Sequence, residues 1–312
     1  MNANGETLSL NAVAGGGKAA LARALARLER YPDAPGTLSL LSEAYAAPKA
    51  QVIGLTGPPG VGKSTLMGAM IEALRKAGRS VGVIAVDPSS MRSGGALLGD
   101  RVRLSRETVD EGVFVRSMAA RDRLGGLADL TIAAMVLMRA VFDVVLIETV
   151  GVGQSETDVA SVADTVVFCV QPGSGDSLQF MKAGIVEIPH IALVTKADMG
   201  KAAQRALADL KGALTLTEQP KDQWRVVVMP IAAAERQGLD EFLETLTRHA
   251  DWLGQQDRLR LARHGQAELW LRAAVRERFG RDGLRRAGNL SLPAGESPFD
   301  RLQEIASRLV ST

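Results

Sequence analysis

Short apolar runs alternate along the chain with segments in which apolar residues recur at helical spacing. Because helical patterns separate most of these runs, they are expected to form strands that pair in parallel through crossover helices. The pattern therefore predicts an α/β fold, with a mostly parallel sheet flanked by helices. Seven runs rich in Val, Ile and Leu predict the buried strands: Val52–Leu55, Val81–Val86, Val113–Arg116, Val144–Glu148, Thr165–Val170, His190–Thr195 and Arg225–Met229.

The two ends of the chain carry helical patterns instead of strands. In the alanine-rich N-terminal stretch, leucines recur at helical spacing, at Leu21, Leu25 and Leu28. Near the C-terminus, Ser297-Pro298 predicts a helix start, and one apolar stripe follows: Phe299, Leu302, Ile305 and Leu309. Either the chain's own domain or a second subunit must cover that stripe. We predict a helical extension over residues 1–49, an α/β domain over 50–250 and a C-terminal helical arm over 251–312.

Composition and charge exclude several classes of protein. The 312 residues are 46% hydrophobic and 23% charged, as in ordinary globular proteins. The net charge of +2 gives no reason to expect a nucleic-acid partner, and no apolar run is long enough to span a bilayer. The N-terminal residues lack a secretory signal pattern, so we expect a cytoplasmic protein, or a mitochondrial matrix protein without its transit peptide. The single cysteine, Cys169, lies in an apolar run and is predicted to be buried and unreactive.

Residues 57–65 match the phosphate-binding pattern G-x-x-x-x-G-K-[ST] between a predicted strand and a predicted helix. In such a loop, backbone N–H groups at a helix N-terminus surround one anion. Lys63 is expected to reach the β- and γ-phosphates of a nucleotide, and the Ser64 hydroxyl to ligate magnesium. The complete motif, with both flanks, argues against an ordinary glycine-rich turn. The expected binding segment is Gly57, Pro58, Pro59, Gly60, Val61, Gly62, Lys63, Ser64 and Thr65.

Carboxylates follow two other predicted strands, and a third lies in a glycine-rich loop. Asp87 follows the run Val81–Val86, Glu148 ends the run Val144–Glu148, and Asp100 lies beyond Asp87. Hard oxygen ligands suit magnesium, so the candidate ligands are Ser64, Asp87, Asp100 and Glu148. The structural alternative is that Asp87 and Asp100 cap turns. Three residues after Glu148, Gly151 can offer its backbone N–H to a γ-phosphate.

The segment Thr195-Lys196-Ala197-Asp198 follows another predicted strand and resembles the guanine-reading element N-K-x-D. The Asp198 carboxylate would accept hydrogen bonds from the ring N–H and the exocyclic amino group of guanine, which adenine cannot match. Lys196 would lay its aliphatic stem along the base. Thr195 stands where the element usually carries asparagine. Alone the segment could be a strand-end turn, but after a phosphate-binding loop at this spacing it favours guanine binding.

Further segments occur in a characteristic order: Asp87–Ser90, Gly94–Arg101, Leu124–Gly126 and Glu148–Glu156. Together with residues 57–65, they resemble the MeaB/ArgK family of P-loop GTPases. These are GTPase chaperones of adenosylcobalamin-dependent acyl-CoA mutases, and the family includes the protein mutated in methylmalonic aciduria type A. The resemblance covers roughly residues 45–250 and is weaker in the terminal arms. Its most distinctive part is Glu148–Glu156, although GTPases usually carry aspartate where Glu148 stands.

The resemblance implies GTP or GDP and Mg²⁺ as ligands, a homodimer supported by the C-terminal helices, and a mutase as partner. It implies two switches, Asp87–Arg101 and Glu148–Glu156, and a catalytic set of Lys63, Asp87, Asp100, Glu148, Gly151 and Gln154. The loop at the guanine edge would be Ala232, Ala233 and Ala234. A third switch would relay the nucleotide state to the partner through Gln171, Gly173, Gly175, Asp176, Gln179 and Lys182.

The residue that orients the attacking water is not obvious. Many small GTPases carry glutamine directly after the glycine of the second switch, where this chain has Val152. Gln154 lies two residues further on and is the candidate, at a spacing that differs from a simple exchange. We therefore expect slow hydrolysis of GTP by the protein alone and faster hydrolysis with its partner. The partner would be a methylmalonyl-, ethylmalonyl-, isobutyryl- or 2-hydroxyisobutyryl-CoA mutase.

Three other functions remain open from the sequence. One is a P-loop kinase of a small molecule, another is a GTPase for maturation of a metal centre, and the third is a non-catalytic nucleotide-dependent scaffold. Metal-centre GTPases usually carry clusters of His or Cys. Here the three histidines, His190, His249 and His264, are far apart in sequence and are expected to be isolated surface or helix residues.

Overall fold

The structure, a computed structural model, describes residues 9–88, 110–120, 129–149, 158–173, 189–215 and 222–310. The chain divides into two compact units. The helical unit comprises Met1–Ala50, Ala128–Asp143 and Arg260–Thr312, and the sheet unit comprises Gln51–Leu127 and Val144–Leu259. The three-part division expected from the sequence stays a prediction. The structure adds that the two terminal stretches belong to one unit.

The sheet unit is built on parallel strands in the order β3-β2-β4-β1-β5-β6-β7. All seven predicted strands are present among the described residues, and the predicted fold class is confirmed. β2 and β3 extend a few residues beyond the predicted runs. The strands are β1 Gln51–Thr56, β2 Val81–Pro88, β3 Val113–Ala120, β4 Val144–Glu148, β5 Thr165–Val170, β6 Ile191–Val194 and β7 Val227–Pro230.

The α-helices of the described ranges are numbered here in chain order. They are α1 Leu10–Gly15, α2 Gly17–Arg30, α3 Pro35–Ala46, α4 Lys63–Lys76, α5 Asp129–Val141, α6 Lys201–Thr215, α7 Leu239–Gly254, α8 Arg258–Ala287 and α9 Pro298–Val310. In α8 the backbone leaves helical geometry at Gly280. None of the helices within these ranges is long and apolar enough to cross a membrane.

Helices cover both faces of the sheet. On one face, Cys169 of β5 belongs to a core cluster with Met67 of α4 and Phe242 of α7. On the other face, the preceding residue Phe168 packs in a cluster with Leu210 of α6. Successive residues of a strand point to opposite faces, so both faces of β5 are buried. This explains why the strands read as continuous apolar runs in the sequence and not as alternating ones.

The C-terminal stripe is covered within the helical unit. The Ser297 hydroxyl accepts a hydrogen bond from the backbone N–H of Phe299 at 3.3 Å, which confirms the predicted start of α9. All four stripe residues are buried, and the Phe299 ring lies 4.8 Å from the Trp270 ring of α8, between centroids. The chain's own helical unit therefore covers the stripe. The sequence had left open that a second subunit covers the stripe. Because the stripe is buried within the chain, it offers no apolar surface for a dimer contact.

Two polar contacts in the helical unit join segments that are far apart in sequence. The Ser42 hydroxyl in α3 donates a hydrogen bond to an Asp300 carboxylate oxygen in α9 at 2.7 Å. The Arg278 guanidinium of α8 pairs with Asp33, before α3, at 2.7 Å. Exposed pairs of this kind contribute about 0–1 kcal/mol each. The predicted N-terminal helix is present as α2, and its leucines at positions 21, 25 and 28 are buried.

Two of the three histidines are not isolated, and that expectation was wrong. The rings of His190 and His249 lie 4.3 Å apart between centroids, and the rings of Trp224 and Trp252 pack against His249. His249 is fully buried. Burial lowers the pKa of His190 from 6.5 to about 4, with a smaller opposing effect of the Asp164 carboxylate. Burial, and then the charge of His190, lower the pKa of His249 to about 3.

The histidine pair predicts that the protein loses stability as the pH falls from 7 to 5. The unfolded chain takes up a proton at each histidine below about pH 6.5, whereas both stay neutral in the folded state until the pH approaches the depressed values. Their contribution is therefore complete above pH 6.5 and is lost as the pH falls. Each proton that the chain takes up on unfolding changes the free energy of unfolding by about 1.4 kcal/mol per pH unit. Urea unfolding at several pH values measures this change.

The variant His249→Gln removes one of the two sites that take up a proton on unfolding. The free energy of unfolding should then depend less steeply on pH, by about 1.4 kcal/mol per pH unit. His264→Gln, on α8 of the other unit, controls for loss of a histidine outside the cluster. Unfolding free energies that stay constant between pH 7 and pH 5 would contradict the prediction.

Candidate functional site

The phosphate-binding loop connects the end of β1 to the start of α4. Gly57 has φ 135°, and a Cβ there would lie 2.2 Å from the carbonyl oxygen of Cys169 in β5. Only glycine lets the loop leave β1 so close to the neighbouring strand. Gly60 and Gly62 have φ 73° and 103°, as expected for this motif. The loop thus turns back to place the N-terminus of α4 at the carboxyl edge of the sheet.

Lys63 is held by the loop itself. Its ammonium donates hydrogen bonds to the carbonyl oxygens of Gly57 at 2.7 Å and Pro58 at 3.0 Å. The residue is 6% exposed, which is uncommon for lysine unless its charge is satisfied. The ammonium therefore lies across the loop, close to the helix N-terminus, in the position from which the motif's lysine contacts phosphate.

Ser64 and Glu148 are brought into direct contact. The Ser64 hydroxyl donates a hydrogen bond to a Glu148 carboxylate oxygen at 2.9 Å. Parallel pairing explains this, since Leu55 at the end of β1 lies opposite Glu148 at the end of β4. Ala85 of β2 also pairs with Glu148, so Asp87 lies two residues further along the adjacent strand. A hydroxyl and a carboxylate at this edge form the kind of oxygen donor set that magnesium prefers.

The Thr195–Asp198 segment lies beside the phosphate-binding loop. The Thr195 hydroxyl lies 2.7 Å from the carbonyl oxygen of Val61 and 2.9 Å from that of Val170. Lys196 adopts a left-handed backbone conformation with φ 51°. A short 3-10 helix, Ala197–Met199, then carries Asp198 on the surface. The carboxylate is thus exposed next to the loop, as reading of a base requires.

Gln171 takes part in this arrangement, which the sequence did not reveal. The Lys196 ammonium donates hydrogen bonds to the Gly60 carbonyl oxygen at 3.1 Å and to the Gln171 side-chain oxygen at 2.5 Å. The sequence placed Gln171 only in the segment expected to signal to a partner. Strand pairing in the structure explains the contact, because β5 and β6 are adjacent and parallel, with Val170 opposite Val194. Residues directly after the two strands must therefore be neighbours.

The turn after β7 reaches the same edge. Ala232 forms two backbone hydrogen bonds with Gln237, and Ala233 and Ala234 lie in a short 3-10 helix between them. The backbone N–H of Ala197 donates to the carbonyl oxygen of Ile231 at 3.2 Å. The predicted guanine-edge loop therefore lies next to the Thr195–Asp198 segment.

An ion pair that the sequence did not predict fixes the far end of this turn. The Arg236 guanidinium pairs with the Glu72 carboxylate of α4. The hydrogen bond and charge of Arg236 lower the pKa of Glu72. The pair joins the turn after β7 to the helix that follows the phosphate-binding loop.

Several predicted site residues lie outside the described residues. They are Asp100, Gly151, Gln154, Gly175, Asp176, Gln179 and Lys182. For Asp87 only the backbone position is described, and Gly173 ends its described segment with φ 79°. The roles assigned to these residues stay predictions.

Cys169 has the structural role that the sequence suggested. Its thiol is fully buried, and burial raises its pKa to about 12. A thiol that keeps its proton in this way is a poor nucleophile. What matters near the loop is the Cys169 backbone, against which Gly57 packs.

Comparison with known proteins agrees with this geometry. The model of the family described as methylmalonyl Co-A mutase-associated GTPase MeaB matches residues 21–285. The chain belongs to the MeaB family. It is therefore a P-loop GTPase, and the resemblance seen in its motifs is confirmed.

Among relatives, GTPase ArgK of Escherichia coli is 35% identical over 84% of this chain and 81% of its own length. The mouse protein named methylmalonic aciduria type A homolog, mitochondrial, is 36% identical over 72% of this chain and 55% of its own length. A crystal structure described as LAO/AO transport system kinase has a TM-score of 0.71 and 27% identity, and the match covers 100% of both chains.

The contact between Gly57 and β5 predicts a large difference between two glycine substitutions. Gly57→Ala places a Cβ 2.2 Å from the Cys169 carbonyl oxygen, whereas Gly60→Ala, also at a positive φ, meets no atom within 4 Å. We expect Gly60→Ala to cost about 1–2 kcal/mol of stability and Gly57→Ala about 3 kcal/mol or more, because steric displacement adds to the backbone strain. Denaturant unfolding of both variants measures this, and equal stabilities would contradict the close packing.

Proposed function

We propose that this protein is a GTP-hydrolysing switch that gates adenosylcobalamin loading, and the protection and reactivation, of an acyl-CoA mutase. One observation carries the GTPase part: the phosphate-binding loop, the Ser64–Glu148 pair and the Thr195–Asp198 segment share one edge of the sheet. Such an edge is where ligands bind in open parallel sheets. The mutase part is supported by the description of the family and by the name of the mouse relative.

The nucleotide would lie along this edge. Backbone N–H groups of the loop and the N-terminus of α4 would surround the β- and γ-phosphates, with the Lys63 ammonium transferring from its carbonyl partners to phosphate oxygens. Asp198 would accept hydrogen bonds from the guanine ring N–H and amino group, and Lys196 would lie along the base. Ala232, Ala233 and Ala234 would form the loop at the guanine edge, with the N–H groups of Ala233 and Ala234 as its backbone donors, because that of Ala232 donates to Gln237.

Magnesium fits the donors at the same edge. The Ser64 hydroxyl and the Glu148 carboxylate are within 2.9 Å of each other, and Asp87 and Asp100 are further candidate ligands. A bound Mg²⁺ would neutralise phosphate charge. The longer side chain of glutamate at position 148, where GTPases usually carry aspartate, lets the carboxylate reach Ser64 from the strand end.

The chemistry requires positioning more than covalent catalysis. Transfer of a phosphoryl group to water depends on alignment and charge stabilisation. The residues proposed for this are the Gly151 N–H at the γ-phosphate and Gln154 at the attacking water. Because no glutamine directly follows Gly151 in the sequence, we propose that the protein alone hydrolyses GTP slowly. A partner that orders these segments would accelerate the reaction.

The partner would be a methylmalonyl-CoA mutase or a relative that acts on ethylmalonyl-, isobutyryl- or 2-hydroxyisobutyryl-CoA. The segment that begins at Gln171 and Gly173 would carry the nucleotide state to it, through Gly175, Asp176, Gln179 and Lys182. A cytoplasmic homodimer remains part of the proposal. Its interface would use a surface other than the apolar stripe of α9, which is buried within the chain.

Guanine reading by Asp198 predicts a change of base preference in the variant Asp198→Asn. Loss of the charged acceptor should weaken GTP binding on the order of 100-fold or more. Xanthosine triphosphate carries a carbonyl where guanine carries its amino group, so the introduced amide can donate to it and binding should improve. Equilibrium titrations with GTP, ATP and xanthosine triphosphate measure this. Asp209→Asn, an exposed aspartate of α6, is the control, and unchanged GTP binding by Asp198→Asn would contradict guanine reading.

The switch proposal predicts slow GTP hydrolysis by the purified protein, below about one turnover per second, with little hydrolysis of ATP. Addition of the correct apo-mutase should raise the rate by at least about tenfold. The measurement is phosphate release with GTP or ATP, with and without each candidate mutase. Lys63→Ala controls for contaminating GTPases.

The outcomes separate the alternatives. Preference for ATP, with transfer of phosphate to a small molecule, would favour a kinase. GTP hydrolysis that no cobalamin-dependent mutase changes would favour another GTPase pathway, such as maturation of a metal centre. Rapid hydrolysis by the protein alone would overturn the idea of partner activation.

A further inference from the structure

The hydroxyl of Thr195 is buried between two backbone carbonyl groups. Thr195 is 4% exposed, and its oxygen lies 2.7 Å from the Val61 carbonyl oxygen and 2.9 Å from the Val170 carbonyl oxygen. Val61 belongs to the phosphate-binding loop and Val170 ends β5. The side chain thus connects the loop to the sheet at the point where the base-reading segment begins.

The number of protons decides what this side chain can do. A threonine hydroxyl has one proton to donate, and an asparagine amide has two. Carbonyl oxygens only accept hydrogen bonds, so either contact of Thr195 uses its one proton within the protein. Guanine N7 is also an acceptor and can take a hydrogen bond from a protein donor. An asparagine at position 195 could donate to the loop and to N7 together, but threonine cannot.

We propose that this protein recognises guanine without a hydrogen bond to N7 of the base, so that specificity rests on the edge read by Asp198. The inference rests on the proposed binding of GTP and concerns how the base is read. The Thr195 hydroxyl lies against the loop carbonyl of Val61. It has no second proton to offer the base.

The neighbouring residues support a site that works without N7. Lys196 is fixed independently of Thr195, through its bonds to Gly60 and Gln171. The 3-10 helix of Asp198 is held by the hydrogen bond from Ala197 to the carbonyl oxygen of Ile231. The Asp198 carboxylate can therefore read the ring N–H and amino group in the absence of an N7 contact.

The test compares GTP with 7-deaza-GTP, in which a C–H group replaces N7. For the unaltered protein we expect the two dissociation constants to agree within about twofold, because no hydrogen bond is lost. In Thr195→Asn, the second amide proton becomes available to N7. That variant should bind GTP about 3- to 10-fold more tightly than 7-deaza-GTP.

Thr195→Val separates the two roles of the side chain. It removes the hydroxyl from the loop carbonyl, so it should weaken binding of both nucleotides and leave their ratio near one. Thermal unfolding of each variant verifies that it folds. If Thr195→Asn fails to fold, the comparison of the two nucleotides on the unaltered protein still decides.

The same titrations include ATP, so that two kinds of failure are distinguishable. One failure is a protein that prefers GTP to ATP but binds 7-deaza-GTP more than about twofold more weakly than GTP. This result would overturn the N7 inference, since another group must then donate to N7. Equal binding of GTP and ATP would overturn the proposed function itself. A GTP preference with equal binding of GTP and 7-deaza-GTP supports both.

Discussion

The nucleotide edge depends on how the carbonyl oxygens of the phosphate-binding loop are satisfied. Among the residues that the structure describes, the side chains of Lys63, Thr195 and Lys196 donate hydrogen bonds to them. A buried carbonyl group without a partner is costly, so the contacts of Lys63 with Gly57 and of Thr195 with Val61 fix one face of the loop. The N–H groups of the loop can then be directed at an anion. The loop is therefore held by residues of the base-reading segment as well as by its own lysine. Phosphate binding and base reading share one set of contacts.

The sequence was sufficient where the signal was local. The central strands β1, β4, β5 and β6 are compact apolar runs buried on both faces, and all seven runs were recovered with small changes at their ends. The glycine-rich motif also carries its own conformation, since its spacing fixes where left-handed backbone occurs. The start of α9 was predictable for the same reason, because Ser297 caps a helix within two residues of itself.

The sequence was insufficient where a contact joins residues that chain order does not place together. The neighbouring rings of His190 and His249 come from the residue before β6 and from α7, and no pattern in either segment indicates the other. Gln171 was assigned to signalling because its position along the chain does not show that Lys196 lies beside it. The partner of the apolar stripe, Trp270 on α8, is likewise known only after folding.

The helical unit is assembled from three stretches that lie far apart in the chain. The contacts of Ser42 with Asp300 and of Asp33 with Arg278 join residues 258 and 245 positions apart. During synthesis the ribosome therefore releases the early helices long before their partners exist. The sheet unit can begin to fold as it emerges, but the helical unit cannot be completed until α9 has been made. Contacts of such long range make folding slow, and until α9 is made, the surface of α3 that packs against it stays open to chaperones and to aggregation.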